Sequence, residues 1–182
     1  MIYTAESVSP RPANPQPMPK PRKPLTPEAA ILRYSALCAR SEQCEYDILT
    51  KLKKGGMDSR GIAEVMQYLT EHRFLDNTRF ARAYANDKVR FQCWGRRKIR
   101  MGLMAKRVDS SDIEAALEGI DPEDYADALR RAAASAASGL NPCDYEESAK
   151  IFRRLASRGF ESSLISKSLA ALRRKALDAD EE

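Results

Sequence analysis

The stretch that decides the fold is RRKIRMGLMAKRVDSSDIEAAL, residues 96–117, because its apolar residues recur at helical spacing on both sides of a short turn. These apolar positions are Ile99, Leu103, Val108, Ile113 and Leu117. Residues four apart lie on one face of an α-helix, and two such spacings flank Val108 in the turn. The stretch therefore predicts a helix–turn–helix pair with one shared core.

The same five apolar positions occur three times along the chain. The copy 51 residues earlier consists of Ile48, Leu52, Met57, Ile62 and Met66, and the copy 52 residues later consists of Ile151, Leu155, Phe160, Ile165 and Leu169. An ungapped match of this kind favours a repeat protein over an ordinary helical bundle. A further helical segment precedes each pair, at residues 27–39, 76–91 and 122–138, so we expect three three-helix units.

Capping residues predict where these helices begin and end. A capping side chain precedes a proline at Thr26-Pro27, Asp121-Pro122 and Asn141-Pro142. Further helix starts are predicted at Ser41-Glu42, Asp58-Ser59, Leu75-Asp76 and Asp109-Ser110. Helix ends are predicted at Gly55, Gly139 and Gly159, because glycine readily adopts the left-handed conformation that terminates a helix.

Strand signals are nearly absent, whereas the helix formers Ala, Leu, Arg, Lys and Glu are frequent. We predict an all-α fold: a tandem array of three three-helix repeats that forms an elongated curved molecule, with a disordered Pro-rich N-terminal tail. The predicted divisions are a flexible Pro-rich leader at 1–26, repeats at 27–74, 75–120 and 121–177, and an acidic tail at 178–182.

The composition excludes several classes of protein. With 43% hydrophobic residues the 182-residue chain is not fully disordered, and it lacks an uninterrupted apolar stretch long enough to span a membrane. The first 26 residues hold seven of the ten prolines and no apolar h-region, which is typical of a leader rather than a signal peptide. We expect a cytoplasmic protein with no membrane partner.

The sequence offers no recognisable set of residues for catalysis or metal binding. Its cysteines, Cys38, Cys44, Cys93 and Cys143, form no Cys-x-x-Cys pair, and His72 is the single histidine. We therefore expect neither a zinc site nor a disulfide framework, and we expect small buried cysteines. Phosphate-binding glycine motifs are also missing. These observations predict a protein that is not an enzyme and uses no cofactor.

Charge is strongly segregated in the middle of the chain. Residues 88–107 contain eight cations and no carboxylate, and residues 109–129 contain eight carboxylates and no cation. Cations without counter-charges indicate an acidic or phosphate-rich partner, and the alternative is a solvated face balanced in part by the acidic helix that follows. The candidate binding residues are Lys88, Arg90, Trp94, Arg96, Arg97, Lys98, Arg100, Lys106 and Arg107.

Two aromatic residues, Phe91 and Trp94, lie within this basic run. They can stack on bases or fill a pocket on a partner, or they can pack at the junction between two helices. We favour packing for both residues, and more strongly for Phe91, because aromatic residues at helix junctions are mostly buried.

One segment resembles a known protein family. Leu75-Asp76-Asn77-Thr78-Arg79-Phe80-Ala81-Arg82-Ala83-Tyr84, followed by Gly95, Ile99, Leu103 and Lys106, resembles the middle motif of the RecX regulatory protein family. The opening pattern of that family is similar to Tyr34, Leu37, Arg40-Ser41-Glu42, Glu45 and Leu52. Three positions depart from the family pattern: Asn77 replaces an Asp, and Cys93 and Arg107 stand where glycine is usual. A residue other than glycine resists positive φ.

The resemblance implies a cytoplasmic, non-enzymatic regulator of the RecA recombinase. Such a protein binds RecA and its filament on single-stranded DNA, limits filament extension, and lowers ATP hydrolysis, strand exchange and SOS coprotease activity. This implies a role in homologous recombination, DNA repair and the SOS response. We expect Leu75, Phe80, Ala81, Tyr84, Ile99 and Leu103 to form scaffold, and we expect a monomer because no long heptad seam appears.

Two alternatives to RecA regulation stay open on the sequence. A helical module that binds DNA or RNA independently of RecA would also use helix–turn–helix pairs and a basic central repeat, and direct DNA contact is compatible with RecA binding as well. An adaptor for another protein would use the run Pro15-x-Pro17-x-Pro19-x-Pro21, which favours polyproline II, although a solubilising tail is the simpler interpretation of that run.

Overall fold

The computed structural model describes residues 25–180, and in this part of the chain every regular element is an α-helix. The helices are α1 (Pro27–Cys38), α2 (Glu45–Lys54), α3 (Ser59–Glu71), α4 (Asn77–Gln92), α5 (Arg96–Ala105), α6 (Ser110–Glu118), α7 (Pro122–Ala137), α8 (Tyr145–Ser157) and α9 (Ser162–Asp180). They form three successive three-helix units, which confirms the predicted fold class. Residues 1–24 of the predicted leader and the last two residues of the predicted acidic tail lie outside the described residues, and the predicted division boundaries stay predictions.

Most predicted helix starts are confirmed, and two are wrong. Thr26, Asp58, Asp76 and Asp121 each accept a hydrogen bond from a backbone N–H in the first turn of the helix that follows. The start predicted at Ser41-Glu42 is displaced, because α2 begins only at Glu45.

The start predicted at Asn141-Pro142 is also wrong. The Asn141 Oδ1 accepts from the Cys143 backbone N–H at 2.9 Å, which closes a turn ahead of the helix. Asp144 then caps α8 through the Glu147 N–H at 2.8 Å. The asparagine side chain therefore stabilises the turn instead of the helix, because an Asx residue can bond to its own neighbouring backbone.

The repeated apolar positions are buried almost throughout. All ten of those in the second and third units are buried, as are Ile48 and Leu52 in the first. The remaining three, Met57, Ile62 and Met66, are half-buried. The first unit compensates by burying Val65 and Leu69 of α3 completely, so its core lies slightly further along that helix.

The units do not share one continuous core. The second and third units bury their apolar side chains in a single cluster, in which α4 packs against both α6 and α7. The first unit has its own cluster between α1, α2 and α3. Cys44 is the first-unit residue that is buried in the larger cluster. The second and third units therefore form one body, and the first unit is joined to the end of that body.

One left-handed residue lies at the same place in all three units, between the second and third helices. These residues are Gly56 (φ 77°), Arg107 (φ 56°) and Gly159 (φ 88°). Arg107 therefore adopts the left-handed conformation of this turn, although it replaces the glycine that is usual in the family. Cys93 (φ 49°) likewise adopts the left-handed conformation at the end of α4. The strain of a left-handed non-glycine residue is of order 1 kcal/mol, which tertiary contacts can offset.

The expectation of buried cysteines holds for one of the four. Cys44 is buried, Cys38 and Cys93 are half-buried, and Cys143 is exposed, and all four are free thiols. Burial raises the pKa of the Cys44 thiol above its ordinary value, which keeps the group protonated. Of the helices described, none combines the length and apolar composition that crossing a bilayer requires.

Candidate binding surface

The second unit presents a row of cations and aromatic rings where α4 and α5 run antiparallel. Phe80, Tyr84 and Lys88 are spaced four apart on α4, and Lys98, Gly102 and Lys106 are spaced four apart on α5. Each set therefore lies on one face of its helix. We call this row, together with Trp94 from the connecting turn, the cation–aromatic seam.

Trp94 lies between two lysines at one end of the seam. The Lys88 Nζ is 4.9 Å from the centroid of the Trp94 ring, and the Lys98 Nζ is 4.4 Å from it. Lys88 also lies 5.0 Å from the Tyr84 ring. The indole is half-buried against the larger core, so its predicted packing role is confirmed, while its ring still contacts two ammonium groups at the surface.

The middle of the seam depends on a glycine. A Cβ at Gly102 would overlap the Tyr84 hydroxyl, so the absence of a side chain lets the tyrosine lie across α5. Burial raises the pKa of Tyr84, and the phenol therefore stays neutral between the cations. Tyr84 is half-buried, whereas the five other predicted scaffold residues are buried.

The far end of the seam meets the first unit. Lys106 forms an ion pair with Asp47 of α2 and lies 5.8 Å from the Phe80 ring. Arg107 lies 4.7 Å from the ring of Tyr46, also on α2. The first unit therefore covers this end of the seam with a carboxylate and an aromatic ring.

The expectation that the eight cations lack counter-charges is wrong for four of them. Ion pairs join Arg90 to Asp124, Arg96 to Glu161, Arg100 to Glu114 and Lys106 to Asp47. Two of these carboxylates come from the acidic block at 109–129, as the alternative interpretation held. Among residues 25–178, Lys88, Arg97, Lys98 and Arg107 have no carboxylate within 4.0 Å.

Arg96 does not project freely into solvent as its helical position predicted. Its guanidinium lies 4.0 Å from the Tyr125 ring centroid and 3.5 Å from Glu161. The Tyr125 hydroxyl accepts from the Arg96 backbone N–H at 3.0 Å and donates to Glu161 at 2.7 Å. Burial, and then the bond to Glu161, raise the pKa of Tyr125 far above its ordinary value. Arg96 therefore holds the second unit to the third.

The prediction that Phe91 is buried is wrong. Its side chain is 78% exposed near the end of α4, while Trp94, three residues later, turns inward. The left-handed Cys93 reverses the chain between them, so the two aromatics point to different sides. Met101 and Met104 are also exposed on α5, beside Arg97 and Arg100. The outer face of α5 thus combines apolar and cationic groups.

Sequence reasoning missed part of this surface. It assigned Phe80 and Tyr84 to scaffold alone and gave Gly102 and Tyr46 no role. A signal was present, because the four-residue spacings Phe80-Tyr84-Lys88 and Lys98-Gly102-Lys106 flank one turn and predict two facing helix edges. The contact with Tyr46 had no local signal, since it joins residues of different units.

Comparison with known proteins identifies relatives of this chain. A family model described as RecX, second three-helix domain, matches residues 76–117, and one described as RecX, third three-helix domain, matches residues 123–169. The regulatory protein RecX of Vibrio campbellii is 32% identical over 143 residues, which are 79% of this chain and 88% of that protein. That of Clostridium botulinum strain Alaska E43 is 32% identical over 129 residues, 69% of this chain and 60% of its own length.

Solved structures share the fold. The crystal structure of RecX from Lactobacillus salivarius has a TM-score of 0.67 and 17% identity, over 80% of this chain and 96% of that one. A second structure, of a regulatory protein RecX, also has a TM-score of 0.67, with 23% identity, over 77% of this chain and 70% of that one. Fold and relatives together define a regulatory protein built of tandem three-helix units. The chain belongs to the RecX family.

Proposed function

We propose that this protein binds RecA and the filament that RecA forms on single-stranded DNA, and that it limits filament extension. The observation that carries the proposal is membership of the RecX family across the second and third units. Lower ATP hydrolysis, strand exchange and coprotease activity follow from shorter filaments. No catalytic step is required, because a protein that binds one assembly state better than another shifts the equilibrium toward it.

The cation–aromatic seam supports the proposal with a specific surface. Lys88 and Lys98 of the seam, together with the neighbouring Arg97 and Arg107, suit an acidic protein surface or nearby phosphates. Trp94 supplies a large, partly exposed ring of the type that anchors protein interfaces. The nine residues first selected from the sequence remain the proposed contact region, with Arg90, Arg96, Arg100 and Lys106 acting mainly through the ion pairs that hold the fold.

The test is the single-stranded-DNA-dependent ATPase of RecA from the same organism, with this protein titrated from far below to equal molar amounts. Inhibition well below one molecule per RecA supports action on filament extension. No effect across the titration, with intact helical circular dichroism, would contradict RecA regulation.

Matched variants connect the activity to the seam. Lys88→Ala with Lys98→Ala removes the two cations that contact Trp94 and leaves every ion pair intact, so we expect about tenfold more protein to be needed for half-inhibition. Arg153→Ala with Lys167→Ala removes the same charge from exposed positions of the third unit and serves as the control. Equal inhibition by both variants would remove the seam from the interface.

A second candidate function is direct binding of single-stranded DNA or RNA by the central repeat. Trp94 with two neighbouring lysines favours it, because single-strand binders combine a stacking ring with cations for the backbone. Titrating an oligothymidylate into this protein without RecA, and following Trp94 fluorescence, separates the two candidates. Quenching that the Lys88→Ala, Lys98→Ala variant loses supports DNA contact, whereas unchanged fluorescence contradicts it.

A further inference from the structure

The two internal joints of the molecule use the same construction. In each joint, the beginning of the second helix of one unit contacts the turn between the second and third helices of the next unit. The Gly95 N–H before α5 donates to the Arg158 carbonyl at 2.8 Å. At the equivalent place, the Cys44 thiol before α2 lies 3.3 Å from the Lys106 carbonyl. In the described chain, the turn of the first unit therefore receives no helix start, and the helix start of the third unit contacts no such turn.

The free turn of the first unit borders a large groove. A cavity of about 940 Å³ lies between α1 and the α2–α3 turn, and its lining includes Lys54, Gly55 and Met57 of that turn. Four cations line it, Arg33, Arg40, Lys51 and Lys54, and no carboxylate does. No carboxylate of residues 25–178 lies within 4.0 Å of these cations. The apolar part of the lining comes from Tyr34, Leu37, Leu52 and Met57.

The free helix start of the third unit has the opposite charge. Asp144, Glu146 and Glu147 surround Tyr145 at the beginning of α8, and the Tyr145 side chain is 84% exposed. The Asp144 carboxylate accepts from the Glu147 N–H, and the Glu147 carboxylate accepts from the Asn141 N–H. An almost fully exposed tyrosine beside carboxylates is a typical interface residue.

The joint between the first and second units shows how such a pair fits together. There the segment Glu45-Tyr46-Asp47 begins α2, with Asp47 paired to Lys106 and Tyr46 packed under Arg107 of the adjoining turn. Asp144-Tyr145-Glu146 has the same acidic and aromatic character as this segment and also lies at the start of its helix, about one turn earlier in the repeat because α8 begins further toward the N-terminus. The cationic groove resembles the basic turn that receives Glu45-Tyr46-Asp47. The N-terminal leader is a poor occupant of the groove, because residues 7–24 contain four cations and no carboxylate.

We propose that a second copy of this chain occupies the groove, with the start of its α8, centred on Tyr145, docked against the α2–α3 turn of the first unit. This contact resembles the internal joint in pairing a helix start with a turn, but it joins two molecules. It is head-to-tail, so every assembly keeps one free groove at one end and one free α8 start at the other, and association extends with concentration instead of stopping at a closed dimer. Dilute protein remains monomeric. The inference does not depend on RecA binding.

Sedimentation velocity of the full chain over a wide concentration range tests the proposal. We expect the weight-average sedimentation coefficient to rise with concentration, and to rise less at high salt because the cations and carboxylates are screened. A coefficient that stays at the monomer value up to the highest soluble concentration would overturn it.

Three variants locate the contact. Tyr145→Ser with Glu146→Lys alters only the docking segment, and Lys51→Glu with Lys54→Glu alters only the groove. Each should weaken association about tenfold or more, since charge pairs become like-charge contacts. Arg82→Glu with Lys167→Glu makes a matched charge change at exposed positions elsewhere, and it should associate as the wild type does.

A mixture of the two interface variants gives the sharpest result. The docking-segment variant keeps an intact groove and the groove variant keeps an intact docking segment, so an equimolar mixture should form dimers and nothing larger. Helical circular dichroism confirms that each variant is folded. Association of either variant alone at wild-type strength, or no dimer in the mixture, would contradict the head-to-tail contact.

Discussion

The joint between the second and third units differs from the joint between the first and second in how closely the backbones approach. At the tighter joint, Gly95 and Gly159 bring two backbones together, and the Arg97 N–H adds a bond of 3.1 Å to the Gly159 carbonyl. At the looser joint, the Cys44 side chain keeps the backbones apart, and ion pairs at the surface provide much of the contact. The same construction therefore gives a continuous core between the second and third units and a more polar contact between the first and second.

This difference assigns the units separate roles. The second and third units form a body that presents the cation–aromatic seam in a fixed geometry. The first unit, with its own core, contacts this body through Cys44, which is buried in the larger core, and through ion pairs such as Glu42 to Arg79 and Asp47 to Lys106. Exposed ion pairs contribute little stability, so we expect the first unit to open from the body before the body unfolds.

The largest expected effect comes from substituting the glycine at the tight joint. A Cβ in Gly95→Ala would overlap the backbone of Gly159 and Phe160, so we expect a loss of about 3 to 5 kcal/mol in the free energy of unfolding. Cys44→Ala at the equivalent place in the loose joint removes one buried sulfur and should cost about 1 kcal/mol. Urea unfolding measures both. Equal losses would mean that the two joints are equally close.

The left-handed turn residues separate conformational strain from steric overlap. In Gly159→Ala a Cβ would combine a positive φ with overlap of the Lys98 backbone. In Gly56→Ala it would meet nothing within 4 Å, so only the positive φ counts. We expect about 1 kcal/mol of destabilisation at Gly56 and at least about 2 kcal/mol more at Gly159. Thermal or urea unfolding of the two variants measures this difference. Equal losses of stability would mean that overlap with Lys98 costs nothing beyond the positive φ.

Tyr125 makes the tight joint sensitive to high pH. Its pKa is raised, so the folded protein keeps the phenol proton above pH about 10, where the unfolded chain releases it. The stability of the wild type therefore falls as the pH rises above about 10, and Tyr125→Phe lacks this contribution to the fall. We expect the variant to cost about 1 to 2 kcal/mol near pH 8, and the difference to shrink by pH 11. A pH-independent difference in urea unfolding would contradict an ionisable Tyr125.

The smallest effect is expected at the loose joint. A double-mutant cycle of Lys106→Met and Asp47→Asn should give a coupling of about 0.5 to 1 kcal/mol, because both side chains are partly exposed and water screens the pair. Salt should reduce this coupling. A coupling as large as the stability loss in Gly95→Ala would mean that this ion pair stabilises the protein as strongly as the tight joint does.

The helices and the repeat could be predicted from sequence because both are local properties. Thr26, Asp58 and Asp76 cap helices with their own side chains, and the Ile–Leu spacings within each helix determine the buried face. The Asn141 start was mispredicted because a capping side chain is chemically equally able to close a turn.

The charge pairing at the candidate surface could not be predicted in the same way. Arg96 meets Glu161, and Lys106 meets Asp47, across unit boundaries that no local pattern encodes. Phe91 lies within α4, before the left-handed Cys93, and its exposure was also not predicted. The pairing of Arg96 and Lys106 thus concerns contacts between units, whereas most helix starts and buried positions within units were predicted well.

Native-state hydrogen exchange, read helix by helix, tests the central claim most directly: the second and third units are one body to which the first is joined. We predict that amides in the cores of α4 to α9 exchange with one shared free energy of opening, and that those of α1 to α3 open separately at a lower one. Opening of α7 to α9 without α4 to α6, or a single transition shared by all nine helices of residues 25–180, would contradict the account.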